Sequence, residues 1–315
     1  MKVRVILSVL VVALILAACT PKSSPTNAAA SPEASQQVAS PEVEQPQTQA
    51  ASPQPLAATE GDYTVEIIDV RGLGLELENG IKIVEYTGNE QQVNIPSHIQ
   101  GLPVTHIGDS AFREKQLTSV TIPDSVISID TWAFISNQLT SVTIPNSVIL
   151  IGTFAFAFNQ LSSVTIPDSV ISIGDAAFAD NQLTSITIPN SVIHLAGFGG
   201  NQLTSVTIPE SVIEIGSGAF NSNQLKNIII PDSVISIGTQ AFYNNQLTSV
   251  TIGSSVISID SVAFGENQLT SITIPKSVTK IGNWAFAANQ LEGKVTVPDN
   301  IDIGYNVFGN TIDDN

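Results

Sequence analysis

The amino-acid sequence predicts a mostly-β solenoid of about ten coils of 22 residues, with short parallel strands on the concave face, helical or 3₁₀ turns, and an N-terminal β-hairpin cap. Three observations predict it. The phrase Leu-Thr-Ser-Val-Thr-Ile-Pro, or a close variant, returns with its Leu at 117, 139, 161, 183, 203, 225, 247, 269 and 291, a step of 22 residues broken once by a step of 20. Phe stands at 112, 134, 156, 178, 198, 220, 242, 264, 286 and 308, one for each coil. Apolar and polar residues alternate with period two over a few residues of every coil, the mark of a short half-buried strand.

In the coil that begins at Leu117, Leu117, Val120 and Ile122 face inward while Ser119 and Thr121 face outward. Pro123 lacks the N–H that a parallel ladder would use, so the strand ends before it. Asp124-Ser125 supplies a turn, Val126 and Ile129 add two more apolar columns, and Ala133-Phe134 buries a small and a large residue before a helical or 3₁₀ turn. Asn137-Gln138 closes the coil, and an inward Asn amide there can satisfy backbone groups of neighbouring turns.

This pattern, Ile-Pro-x-Ser-Val-x-x-Ile-Gly-x-x-Ala-Phe-x-x-Asn-Gln-Leu, resembles the leucine-rich repeat of the BspA type over roughly residues 93 to 310. The resemblance implies a curved leucine-rich repeat solenoid used mainly for binding proteins and, in several surface members, for adhesion. Fold alone does not carry function, so the remaining residues decide what can be added.

The 315 residues carry 11 Lys and Arg against 28 Asp and Glu, a formal net charge of −17 and a pI near 4.3. Nucleic acid and anionic lipid would repel such a chain, which removes nucleic-acid binding from the candidates. With 43% hydrophobic residues the chain is too apolar to be wholly disordered. Its one Cys excludes an intrachain disulfide and a cysteine-based zinc site.

Lys2 and Arg4 precede an apolar run from Val5 to Leu16, too short for a bilayer span of about 20 residues but right for a signal-peptide core. Leu16, Ala17 and Ala18 before Cys19 resemble the bacterial lipobox, which implies cleavage before Cys19 and lipidation of its thiol. An ordinary signal peptide cut after Ala18 is the alternative. Residue 20 is Thr rather than the Asp that marks inner-membrane retention in Gram-negative lipoproteins, so the resemblance implies the outer membrane or cell surface. Residues 19–60 follow as a tether rich in Pro, Ser, Ala and Gln that cannot bury enough surface to order itself. As a coil it spans about 35 Å, and as polyproline II about 125 Å.

Residues 61–92 are expected to cap the solenoid of residues 93–315. Within them Leu75 to Ile83 reads as a hairpin around a three-residue loop, Glu78-Asn79-Gly80, pairing Leu77 with Ile81 and Leu75 with Ile83. The segment from Pro96 to Phe112 is longer than its counterparts, and the coil from Leu183 to Gln202 is two residues short, a change expected to alter curvature. Near the C-terminus Gly293-Lys294 reads as a bulge whose Lys discourages edge pairing.

No catalytic constellation emerges. His106 and His194 fall in one outward column four coils apart, about 19 Å, and so cannot share a metal ion. His98 lies in a loop, and no metalloprotease, nucleophile-elbow or phosphate-loop motif is present. The column Asp124, Asn146, Asp168, Asn190, Glu210 and Asp232 has the chemistry of a calcium site, but reads better as turn residues. Ladders of Ser and Thr on the strand face resemble those of ice-binding solenoids, yet curvature and the Ser column fit plain strand residues better.

The candidate binding residues lie where the repeat breaks. Lys226-Asn227-Ile228-Ile229 places Lys226 and an apolar Ile229 among hydroxyls. Trp132, Phe154 and Trp284 stand two residues before the core Phe, and Phe158 and Tyr243 follow it, giving an aromatic rim suited to protein contact. Drift within one repeat and partial burial between coils are the plain alternatives. The sequence therefore predicts a non-enzymatic, lipid-anchored envelope protein with no cofactor or metal, binding extracellular or envelope proteins as an adhesin. The alternative is a structural or assembly protein without an outside ligand, and a small-molecule ligand is not expected.

Overall fold

The computed structural model describes residues 57–71, 78–293, 295–299 and 301–309. The chain divides into units Met1–Pro55 and Leu56–Asn315. The first lies outside the described residues, and with it the signal peptide, Cys19 and nearly all of the tether. The second holds one continuous hydrophobic core from Val65 to Phe308 and so folds as a unit of its own.

The solenoid predicted from the repeat is present, and the inward columns are those of the sequence pattern. Leu117, Leu139, Leu161, Leu183, Leu203, Leu225, Leu247 and Leu269 are all fully buried, as are the Phe residues from Phe112 to Phe286. From Phe112 to Phe286 successive rings stack face to face, with centroids 4.9 to 5.8 Å apart and planes within 16° of parallel. Each buried phenyl ring contributes about 2 to 3 kcal/mol through its area, and from Phe134 to Phe286 each stacks on the ring of the coil before and the ring of the coil after, as expected of a stacked array.

Two kinds of ladder join the coils. The Ser-Val-Thr strands pair in parallel only in twos, Gln92–Asn94 with Ser119–Thr121, Ser141–Thr143 with Ser163–Thr165 and Asn227–Ile229 with Ser249–Thr251, and residues 185–187, 205–207 and 271–273 are in no strand. Pro96, Pro123, Pro145, Pro167 and Pro231 end five of these strands, and Gly253 stands at that position after Ser249–Thr251. The uninterrupted ladder lies further along the coil, where two-residue strands such as Ser128–Ile129, Leu150–Ile151 and Ser172–Ile173 pair in register up to Asp302–Ile303.

The N-terminal strands are β1 (Ala57–Glu60), β2 (Tyr63–Asp69), β3 (Asn79–Tyr86), β4 (Gln92–Asn94), β5 (His98–Ile99) and β6 (Leu102–Ile107). Composition places β1 in the tether, yet it pairs antiparallel with β2, because an open strand edge recruits backbone whatever its side chains. The expected cap hairpin has a different register. Ile81 pairs with Ile67 and Ile83 with Val65, so Asn79 and Gly80 lie inside β3 opposite Asp69 and Ile68 rather than in a turn. Pairing along a seven-residue strand outweighs the local turn preference of Asn-Gly. Leu75 and Leu77 lie outside the described residues. The extra residues after Pro96 form a second hairpin, β5 to β6, closed by Gln100 (φ 53°) and Gly101 (φ 77°).

β3 joins the long ladder by parallel pairing with β6. Tyr86 begins the aromatic spine, stacked 5.3 Å from Phe112 at 21°, and Tyr63 tilts against both. Burial, with Tyr86 and Asp62 nearby, pushes the Tyr63 phenol up to about 12. Lys82 donates to Asp130 at 2.7 Å and Ser128 donates to the other carboxylate oxygen at 2.6 Å, fastening the cap to the first regular coil.

The segment around the core Phe is neither α-helical nor 3₁₀. Its residues alternate between donating to the next coil and closing a turn within their own: the N–H groups of Trp132, Phe134 and Ser136 donate to Thr153, Ala155 and Ala157, while Ala133 and Ile135 donate three residues back. Aiming alternate N–H groups at the neighbour puts the residues two before and two after Phe in the left-handed region, as at Trp132 (φ 58°) and Ser136 (φ 56°). The short coil absorbs its two-residue deletion in this turn, where Gly197 (φ 101°) does the work, and His194–Leu195 keeps ladder register on both sides.

Candidate functional site

The Ser/Thr face presents exposed hydroxyls on either side of a buried or half-buried Val, as in Ser141, Val142 and Thr143. Hydroxyls are uncharged and well solvated, so a uniform face of this kind offers little to a partner. Its break is at 226–229. In the strand Asn227–Ile229, Ile228 takes the inward Val position at 3% exposure, while Ile229 stands 68% exposed opposite Thr251. Asn227 accepts a hydrogen bond from Ser249 at 2.6 Å, which fixes the strand beneath Ile229. Lys226 is exposed in the same coil, its carbonyl accepting from the Thr248 N–H at 2.9 Å.

The aromatics lie elsewhere on the coil, on the turn around the core Phe. Trp132, Phe158 and Trp284 are exposed, whereas Phe154 and Tyr243 are half-buried. Trp132, Phe154, Phe158 and Trp284 all hold φ values near 55°, the left-handed geometry that the inter-coil bonds demand at their positions. Glu266 bonds the Tyr243 phenol and holds its pKa above the ordinary value. Trp132 and Phe154 are in adjacent coils, but Trp284 is seven coil steps from Trp132, about 34 Å. The structure thus places Lys226 with Ile229 on the strand face and strings the aromatics along the turn side of the stack without bringing them all together.

Two features escaped the sequence reading. Tyr305 is exposed and packs edge-on against Trp284 at 6.0 Å and 86°, extending that aromatic pair into the last coil. A column of isoleucines also faces outward: Ile213, Ile235 and Ile257 are 42%, 43% and 47% exposed. Its signal is the Ile that follows the inward Val in almost every coil.

The histidine column is less open than its alternation implies. Ser128 and Ser172 in it are buried, and His106 is half-buried beside the Lys82–Asp130 pair with Nδ1 3.0 Å from the Thr105 hydroxyl. Burial lowers the His106 pKa below its usual 6.5, Asp130 opposing and Lys82 reinforcing the shift. His194 instead faces Glu214 at 3.2 Å. No group of three or more metal-ligating side chains comes together among the described residues. A polar depression of about 580 Å³ is lined by Asn89, Glu90, Gln91 and Gln92, a set with no paired nucleophile and base.

The family model of the BspA type leucine rich repeat region matches residues 83–197 and 193–313, with six copies. The chain belongs to the BspA-type leucine-rich repeat family. Among solved structures, this BspA-type chain is similar to a leucine rich cell surface protein from Faecalibacterium prausnitzii, with 25% identity over 81% of this chain and 96% of that one and a TM-score of 0.35. A leucine-rich repeat protein from Bacteroides ovatus is 21% identical over 80% and 91% of the two chains, with a TM-score of 0.43. The pneumococcal vaccine antigen PcpA is 20% identical over 79% and 85%, with a TM-score of 0.48. No curated protein matches. Among the described residues no helix is long and apolar enough to cross a membrane.

Proposed function

We propose that this BspA-type protein is a lipid-anchored component of a bacterial envelope, held through Cys19 and a Pro-rich tether, whose solenoid binds extracellular or envelope proteins as an adhesin. The observation that carries the reading is Ile229, an apolar side chain 68% exposed on a face otherwise built of hydroxyls. A large apolar group on a strand with a fixed backbone is already ordered before contact, so a partner gains its burial at little entropic cost. Lys226 in the same coil adds a positive charge on a chain of net charge −17, which selects for an acidic group near the apolar contact. The exposed turn aromatics, Trp132 and Phe158 near one end and Trp284 near the other, supply further anchors of the kind enriched at interfaces.

Intact cells test this reading. Protease added outside is expected to cut the tether and release the head, and cells bearing the chain are expected to adhere to immobilised extracellular-matrix proteins, less so with Ile229→Thr. A head that stays intact and cell-associated under protease, with adhesion indifferent to the substitution, contradicts it.

A further inference from the structure

We propose that the exposed isoleucine column and the charges beside it form a self-complementary face on which a second copy of this chain docks about a two-fold axis. In this part of each coil Val212 and Ile215, with their counterparts Val234 and Ile237, Val256 and Ile259, are fully buried, so the two residues between them face outward. The first of the pair forms the column Ile193, Ile213, Ile235, Ile257, Thr279 and Ile301, apolar except at Thr279 and joined coil to coil by backbone hydrogen bonds from Ile213 to Ile193, Ile235 to Ile213 and Ile257 to Ile235. The second forms the column His194, Glu214, Ser236, Ser258, Lys280 and Asp302, in unbroken parallel register. Near the cap the equivalent Ile127 is buried, and the column opens fully only from Ile213 onward.

A two-fold axis lying in this face and perpendicular to the coil stack runs two copies antiparallel while keeping each column opposite itself. Centred between the coils of Ser236 and Ser258, it sets Glu214 against the partner's Lys280, His194 against the partner's Asp302, and Ile235 against the partner's Ile257. Every charge then meets an opposite charge or a hydrogen-bonding imidazole, and the hydroxyls meet each other at the centre. Sliding by one coil, about 4.8 Å, destroys the match: one slip places Glu214 against the partner's Asp302, the other places Lys280 against the partner's His194. The preceding turn column adds one more opposite pair, with Glu210 in the coil of Glu214 and Lys276 in that of Lys280, both exposed, while Asp232, which accepts the Ser254 N–H within its own chain, meets the partner's Ser254. On a chain of net charge −17, which otherwise repels its own copies, a local pattern of this kind selects the partner and fixes register. In the free chain the same groups make only exposed pairs, His194 with Glu214 at 3.2 Å and Lys280 with Asp260 at 3.7 Å, and these are worth little.

Sedimentation velocity of purified residues 56–315, a unit with its own core, tests the proposal over a concentration series. A monomer–dimer equilibrium is expected. Glu214→Lys and Lys280→Glu should each weaken it about 10-fold or more by placing like charges opposite each other, and the double exchange should return it to within about 3-fold of the starting chain. Ile235→Asp with Ile257→Asp should abolish it, and Ile229→Thr on the other face should leave it unchanged. All these positions are exposed, and circular dichroism will show that the variants fold. A chain that stays monomeric at every concentration, an association that the charge exchange does not rescue, or one that responds to Ile229→Thr instead, overturns the proposal.

Discussion

Asn223 shows how one residue type holds neighbouring coils together. Its amide donates to the carbonyls of Phe198 at 2.9 Å and Phe220 at 3.1 Å, and its carbonyl accepts the Leu203 N–H at 2.9 Å, so three buried backbone groups depend on it. Asn137, Asn159, Asn181, Asn201, Asn245, Asn267 and Asn289 repeat the arrangement. Asn223→Ala leaves those groups unpaired and should cost about 2 to 4 kcal/mol, read as a lower urea midpoint. This role was legible in the sequence, because an amide is the side chain that both donates and accepts, and it recurs at one inward corner. At the cap, His106 has its pKa lowered chiefly by burial. Folding therefore favours the neutral imidazole: the stability it supports is present above pH 6.5 and is lost as pH falls through the lowered folded value. Melting temperatures from pH 7 to pH 4 should show a decline that His106→Gln reduces; an identical decline in both chains would remove His106 as its source.

At the scale of the element, the strand columns and the core were readable because inward residues hardly vary. The turn around Phe was not, since left-handed positions are usually marked by Gly or Asn and here hold Trp132, Phe154, Gln240 or Val262. What fixes them is the demand that alternate N–H groups reach the next coil, a property of the stack rather than of any segment. Val262 at φ 60° carries a β-branched side chain where none is favoured, so Val262→Gly should raise stability by about 1 kcal/mol. Gly197 is the opposite case. At φ 101° a Cβ there would lie 2.8 Å from the Gly174 carbonyl oxygen, and Gly197→Ala should cost at least about 2 kcal/mol. The cap hairpin was misplaced for a related reason: Asn79-Gly80 signals a turn locally, but the partner that fixes its register, Tyr63–Asp69, lies well upstream.

For the whole molecule, the aromatic spine makes stability a matter of neighbours. Phe198 sits between two rings, 5.5 Å from Phe178 and 5.8 Å from Phe220, and its loss splits the stack. Phe198→Ala should cost about 3 to 5 kcal/mol and divide thermal unfolding into two steps, whereas Phe308→Ala at the far end should loosen only the last coil. The same regularity explains why the candidate site was only partly legible. Near-identical coils reveal Ile229 and the odd aromatics as departures, but the outward isoleucine column repeats as faithfully as the core and hides among it until exposure separates the two. We propose that binding resides where the repeat is broken on the Ser/Thr face. The most direct measurement is the affinity of purified residues 56–315 for a panel of immobilised extracellular-matrix and envelope proteins, with Ile229→Thr beside the unaltered chain. Saturable binding to at least one protein, weakened about 10-fold or more by the substitution, is the predicted result. Binding that the substitution leaves untouched, or no binding to any member of the panel, would contradict it.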